Sequence, residues 1–305
     1  MKVSNELLIL CGYPMSEQPL VSVLMNCYNG EKYLREAIES VLAQSYHNWE
    51  LIFWDNQSVD HSATIFKSYK DARLKYFLAP KHTDLGAARI LAQECLHGIY
   101  VAVLDADDMA HPDRLLKQVE FLERNEHVAL VASWVKLIDP EGNFLSKLTP
   151  PADSAALNDL IGWKNPITHS AVMYRLQAAK EVGGYSKHFS YAQDYCLLID
   201  LAEMHAIAVL DQFLCTYRML PSGLSRSRKL QRLIAHEQIV LFGLAREKLK
   251  LSPSSIKHNI RSTANSQIRL GLADIYHGYF LRGLLSILGS LQKHSAALWG
   301  NVPFR

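Results

Sequence analysis

Val101-Ala102-Val103-Leu104-Asp105-Ala106-Asp107-Asp108 decides how this chain is read. The apolar run from Ile99 to Leu104 has the composition of a strand buried on both faces, as in a parallel sheet. It drives without a break into three carboxylates. Chain leaving such a strand enters the crevice beyond the carboxyl ends of an open α/β sheet, where these sheets hold ligands. Three acids there repel one another and want a compensating cation, and hard oxygen ligands suit Mg²⁺ or Mn²⁺. Such an ion keeps waters and shares one or two carboxylates with substrate phosphates. Taken alone, the stretch reads equally well as a solvated turn, with Asp108 capping a helix that begins near Pro112.

Working outward from it, strands and helices alternate. Leu20 to Met25 reads as a strand followed by the polar turn Asn26-Cys27-Tyr28-Asn29-Gly30. Leu34, Ile38, Val41 and Leu42 then recur at helical spacing up to about Ser45. Trp49 to Trp54 is a second strand that stops at Asp55, with Ile65 and Tyr69 marking the next helix and Asp60 as its cap. Leu74 to Leu78 is a third strand, Gly86 to Leu96 a third helix closed by Gly98, and Pro112 opens a fourth helix. Alternation of this kind predicts a mostly parallel sheet with right-handed crossovers. Each strand ends in a polar loop, so Tyr28, Asp55 and Asp105 converge on one rim.

After Val128 the pattern loosens. Val128 to Ile138 is a strand, Asp139 to Asn143 a turn, and Ser170 to Tyr174 another strand. Gln177 to Val182 is a short helix, Asp194 opens a longer one, and Ile207–Leu210 with Phe213–Tyr217 reads as a final strand pair. Beyond Arg226, Leu230, Ile234, Val240, Leu241 and Leu244 repeat at helical spacing.

The 305 residues are 49% hydrophobic and 20% charged, an ordinary globular balance with room for one or two domains. No apolar run approaches the ~20 residues of a membrane span, and Met1 to Leu10 lacks the layout of a signal peptide. Cys11, Cys27, Cys95, Cys196 and Cys215 form no CxxC pair and sit mostly in apolar runs, the usage of reduced core residues in a cytoplasmic protein. The net charge of +2 hides an asymmetry. From Arg226 onward 13 Lys and Arg face three acids (Glu237, Glu247, Asp274), a balance of +10; the preceding residues carry 19 bases and 27 acids, or −8. The expected division is therefore an N-terminal extension over 1–15, an α/β domain over 16–225 and a basic helical region over 226–305.

VSVLMNCYNGEKYLREAIESVLAQSYHNWELIFWDNQSVDHS at residues 21–62, then VAVLDADD at 101–108 and YAQDYCLLIDLA at 191–202, resembles a family-2 inverting glycosyltransferase of the GT-A fold. The resemblance covers roughly Pro19 to Ser225. It implies an α/β GT-A domain with a mostly parallel central sheet and a helical C-terminal appendage. It also implies metal-dependent transfer of a hexose-type sugar from a nucleotide diphosphate donor, a UDP-sugar by family frequency, to an acceptor hydroxyl. The setting it implies is cell-surface polysaccharide synthesis on a glycan or lipid-linked acceptor.

Residue by residue, the resemblance assigns Asp105 to the nucleotide ribose and Asp107 to the Mn²⁺ or Mg²⁺ that grips the diphosphate. Such an ion acts as an electrophile on the departing diphosphate. Asp55 resembles the carboxylate that accepts from the uracil ring nitrogen, although Asn56 stands where relatives carry a second acid. Asn26 and Tyr28 occupy the donor loop, Tyr28 beside the base, and Arg89 resembles a base- or phosphate-contacting arginine. Asp194 is assigned to deprotonating the acceptor, with Gln193 in place of the usual neighbouring acid and altering acceptor contacts. Asp108 reads as a support for the loop, and His169 as a polar residue of the acceptor side. Tyr217-Arg218-Met219 matches the strand that closes the site. No His follows it, so a third protein ligand to the metal stays unassigned, while Ser222 and Ser225 are placed to contact diphosphate from a closing loop.

Asn26 to Gly30 holds one glycine, which excludes a nicotinamide dehydrogenase and a nucleotidylyltransferase, both of which need a glycine-rich turn there. A non-catalytic donor-binding relative in a glycan assembly complex is the remaining alternative. The basic tail with its leucines reads in two ways: docking on an anionic membrane surface, or packing on the catalytic domain or a second copy in a homodimer. Its aromatics form no stacking platform, so no nucleic-acid partner is expected.

Overall fold

Leu24, Ile52 and Val103 lie at the centre of three adjacent strands and are almost wholly sealed from solvent. Those strands are β1 (Val21–Cys27), β2 (Trp49–Asp55) and β4 (Tyr100–Val103), and β3 (Leu74–Leu78) extends the set beyond β2. All four are parallel, in the order β3-β2-β1-β4. The connecting helices are α1 (Leu34–Leu42), α2 (Ser62–Ser68) and α3 (Leu85–Gln93). In α1 the buried residues Leu34, Ala37, Ile38 and Val41 follow the helical repeat that the sequence shows. The chain is described here by a computed structural model over residues 18–221, 223, 230–276 and 278–293. The expected N-terminal extension at 1–15, Ser222 and Ser225 lie outside the described residues.

The second half of the sheet is mixed. After the two-residue β5 (Met109–Ala110) and α4 (Arg114–Arg124), the long β6 (Val128–Ile138) turns back through Asp139 into β7 (Phe144–Leu148). α5 (Ser154–Ile161) follows, capped by Asp153. The stretch expected as one strand at Ser170–Tyr174 divides into a 3₁₀ turn, His169–Ala171, and β8 (Met173–Arg175). β8 runs antiparallel between β4 and β6 and joins the two halves into one nine-stranded sheet. α6 (Leu176–Glu181) and α7 (Gln193–Met204) come next.

The expected strand pair near the end of this half is one strand, β9 (Ala206–Arg218), parallel to β6. The register slips at Ser133 and Trp134 of β6, where Asp211 and Gln212 stand exposed on β9. That slip looks like a turn in the sequence, yet the ladder resumes beyond it.

Among the described residues three further helices follow: α8 (Gln231–Lys248), α9 (Pro253–Tyr276) and α10 (Phe280–Lys293). α8 shares the core of the sheet domain, since Leu241, Phe242 and Ala245 are buried in the same cluster as Tyr195, Leu198 and Leu201 of α7. Lys248 fixes its far end with ion pairs to Asp200 and Glu203 of α7 at 2.8 and 2.7 Å. The charge shift near residue 225 therefore does not coincide with a break in the core. α10 turns back on α9 after Gly278, and Gly271 and Gly283 face each other so closely that a Cβ on either would strike the other's carbonyl. Among the described residues, no helix is long and apolar enough to cross a membrane.

Candidate active site

The order β3-β2-β1-β4 places β1 between strands reached by crossovers in opposite directions, and a crevice opens at such a switch point beyond the strand ends. Asn26 and Tyr28 leave β1 there, Asp55 ends β2, and Asp105 follows β4. Side chains lace the two loops together. Ser58 Oγ accepts from Asn29 N at 3.0 Å, Asn29 Oδ1 from Val59 N at 2.9 Å, Ser62 Oγ from Gly30 N at 2.9 Å and Asp60 Oδ2 from Glu31 N at 3.0 Å. Asn29 and Gln57 turn through positive φ of 54° and 66° to make these loops.

Asp55 is buried, accepting at 2.7 Å from both Ser58 N and the Tyr76 hydroxyl. Each carboxylate oxygen still has a lone pair free for a ligand. Tyr28 is half exposed, and its ring lies 4.2 Å from that of His82, whose Nδ1 sits 3.0 Å from Asn56 O. The sequence carries no signal for His82, since a lone His in a loop has no periodicity to mark it. Asn26 contributes a buried Nδ2 with no protein partner.

The acid loop after β4 is held from behind. Asp105 N donates to Ser170 Oγ at 3.1 Å. Asp108 is fully buried and accepts the backbone N–H of Arg218 at 2.8 Å, tying the loop to the end of β9 rather than capping α4. Arg218 adds Nε to Asp107 O at 3.2 Å and an ion pair to Glu36 at 2.7 Å. Arg114, also buried, props the same loop by donating Nη2 to Val103 O and Val172 O at 2.9 Å each. Burial, together with the neighbouring Asp105 charge, pushes Asp107 up to about 6. Burial and the charges of Asp107 and Asp105 push Asp108 well above the carboxylate range.

Asp194 stands in the first turn of α7 and is oriented by Asn165, whose Nδ2 donates to Oδ2 at 3.0 Å. Burial raises its carboxyl above the usual range, against the opposing pull of Arg89. Arg89, 3% exposed, joins the two sides: Nη2 pairs with Asp105 Oδ1 at 3.0 Å while its charge also acts on Asp194. Its Nε has no protein acceptor. Gln193 is fully buried, and neither of its amide atoms has a protein partner. His169 faces Tyr185, with Nε2 2.9 Å from the hydroxyl. Burial and the charges of Arg89 and Arg114 hold His169 well below its usual range.

Asp105 and Asp107 suit a divalent cation in one specific manner. Among the described residues, no three His, Cys, Asp or Glu side chains converge as an all-protein cage. Asp107, raised by burial and by the Asp105 charge beside it, matches an ion that takes its remaining oxygens from water and phosphate.

A curled mixed sheet with a nucleotide-type crevice, an acidic loop at its rim and a carboxylate on the facing helix defines a GT-A-type transferase fold. The family model described as glycosyl transferase family 2 matches residues 22–183, and the chain belongs to that family. It is 34% identical over 209 residues to an uncharacterized glycosyltransferase of Methanocaldococcus jannaschii, covering 67% of this chain and 72% of the relative. It is also 34% identical over 174 residues to the putative glycosyltransferase EpsE of Bacillus subtilis, covering 56% of this chain and 62% of EpsE. A putative teichuronic acid biosynthesis glycosyltransferase, TuaG of Bacillus subtilis, is 34% identical over 152 residues, or 49% of this chain and 59% of TuaG. In fold the chain resembles S. aureus TarS, solved in complex with UDP-GlcNAc, with a TM-score of 0.61 at 17% identity over 91% of this chain and 90% of that one. It resembles the mannosyltransferase PcManGT of Pyrobaculum calidifontis, solved with GDP-Man and Mn²⁺, with a TM-score of 0.59 at 16% identity over 95% and 78%.

Proposed function

We propose that this family-2 glycosyltransferase moves a sugar from a nucleotide diphosphate donor, a UDP-sugar by preference, to an acceptor hydroxyl with inversion of the anomeric centre. The observation that carries the reading is Arg89, which touches the carboxylate assigned to the donor, Asp105, and acts electrostatically on the carboxylate assigned to the acceptor, Asp194. Residues far apart in sequence thereby face one cleft.

In this reading Asn26, Tyr28 and Asp55 receive the nucleotide base and Asp105 its ribose. Arg89 keeps Asp105 in place. Asp107, together with Asp105, would hold a Mn²⁺ or Mg²⁺ ion, which would supply charge neutralisation for the leaving diphosphate. Asp194 takes the proton from the acceptor hydroxyl as that oxygen bonds to the anomeric carbon. The bond from that carbon to the diphosphate oxygen breaks, and the diphosphate leaves with the electron pair. The raised carboxyl of Asp194 is a better proton acceptor than a solvated one. The UDP-GlcNAc and GDP-Man bound to the two fold relatives support a nucleotide-sugar donor, and TuaG's name supports a polysaccharide product. In this reading the acceptor is a glycan or a lipid-linked glycan, and the enzyme docks peripherally on a membrane.

A panel of UDP- and GDP-sugars, followed by donor hydrolysis with Mn²⁺ and with EDTA, tests this. One donor is expected to turn over in a cation-dependent way, and NMR of the first-formed sugar should show the inverted anomer. Absence of turnover with every donor, or a retained anomer, would overturn the reading.

A further inference from the structure

The loop leading into α7 has three backbone N–H groups to satisfy, those of Ser190, Tyr191 and Ala192, and α7 carries no side-chain cap of its own. All three donate to one carboxylate on α8. Ser190 N reaches Glu237 Oε1 at 2.7 Å, and Tyr191 N and Ala192 N reach Oε2 at 3.1 and 2.8 Å. Glu237 is 3% exposed. A carboxylate withdrawn from water is tolerated only when its oxygens are hydrogen-bonded, and here three bonds go to this one loop.

The opposite side of the loop is held by α3, the helix that carries Arg89. Gly86 N donates to Ser190 O at 3.0 Å, and Ser190 Oγ to Asp84 Oδ2 at 3.3 Å. A Cβ at Gly86 would stand 2.2 Å from Phe189 O, so only glycine permits the approach. The loop is therefore clamped between α3 and α8, and Asp194 follows it by two residues.

We infer that Glu237, from the basic C-terminal region, is a positioning residue for Asp194. It fixes the backbone at 190–192 and so the direction in which the Asp194 carboxylate meets an acceptor hydroxyl. The inference rests on Asp194 being the base. Its physical requirement is a charged acceptor with two oxygens. Glutamine keeps the volume but offers one oxygen, and its amide group would confront an N–H.

The test uses the full chain. Glu237→Gln is expected to lower the rate constant for transfer about a hundredfold, the scale of a 1 Å displacement of a reacting group. Donor affinity should be unchanged, and hydrogen exchange should speed up at Ser190 to Ala192 while the body of α7 stays protected. Glu237→Asp, which keeps the charge but withdraws it by one methylene, should fall between wild type and Glu237→Gln. In an Asp194→Asn background the Glu237→Gln change should cost almost nothing more, because it acts through the missing base. Full transfer activity of Glu237→Gln, or losses that multiply across the double variant as a general structural defect would, overturns the inference. An inert wild-type chain instead sinks the glycosyl-transfer reading from which it starts.

Discussion

The two rims of the cleft are built by different means. The rim proposed for the donor is made of consecutive strand-to-helix loops that satisfy one another: Asp55 is held by Ser58 and Tyr76, and the turn at Asn29 by Ser58 and Val59. The rim proposed for the acceptor is assembled from far-apart segments. Asp194 takes its orientation from Asn165, its preceding loop from Gly86 and Glu237, and its electrostatic field from Arg89. A rim made of neighbouring loops folds with its own half of the sheet, whereas the other exists only once α7, α8 and the Asn165 loop have docked. The contrast separates binding from chemistry: lesions in the second rim should spare the nucleotide.

The largest effect expected is at the junction of the rims. Asp107→Ala removes a carboxylate from the proposed cation site while leaving Asp108 and Arg218 to hold the loop. Turnover should be abolished with the fold intact, and donor binding should weaken and lose its dependence on Mn²⁺. Calorimetry showing an unchanged metal-dependent donor affinity would break the assignment.

Asp194→Asn comes next and sharpens the contrast. The amide keeps the size of the side chain but cannot take a proton, a loss worth ~10²–10⁴ in rate. Donor affinity should barely change, since the donor rim is built independently. The pH profile carries the same information. A base works only when deprotonated, and burial raises the Asp194 carboxyl. Activity should therefore fall on acidification at a pH above that of an ordinary carboxylate, and this limb should vanish from the residual rate of Asp194→Asn. Near-normal transfer by the variant would mean that another group takes the proton.

The donor rim was largely legible in the sequence because its signals are local. Strand, polar loop and amphipathic helix recur within about thirty residues, so β1 to β4, their order of appearance and the loops carrying Tyr28, Asp55 and Asp105 follow from periodicity. The acceptor rim was legible only at Asp194 itself, through its motif. Asn165 and Glu237 there, and His82 beside Tyr28 on the other rim, act through contacts across 29, 45 or more and 26 residues, and no local pattern marks them. Glu237 was visible only as one of three acids in a basic region, where a solvated face is the ordinary reading. β9 reads as two strands in the sequence because the bulge at Asp211 imitates a turn.

The smallest effect on the cleft, and the last way to probe the contrast, concerns the end of the helical region. α8 belongs to the acceptor rim, but α10 does not share its packing role: Phe280, Leu281, Leu285 and Leu288 are more than half exposed, with Tyr276 and Tyr279 beside them. α10 contains Arg282 and Lys293 and no acid. Aromatic and leucine side chains flanked by bases suit the interface of an anionic leaflet, where each cation near the surface is worth ~1 kcal/mol. The full chain should float with anionic vesicles at low salt and detach at high salt. Replacing Leu281, Leu285 and Leu288 together by serine should abolish flotation while leaving donor hydrolysis in solution within about twofold, the scatter expected for exposed sites away from the chemistry. A variant that floats as well as wild type would remove α10 from the membrane. A wild-type chain that instead sediments as a dimer, and a serine variant that sediments as a monomer, would assign the same face to a second copy.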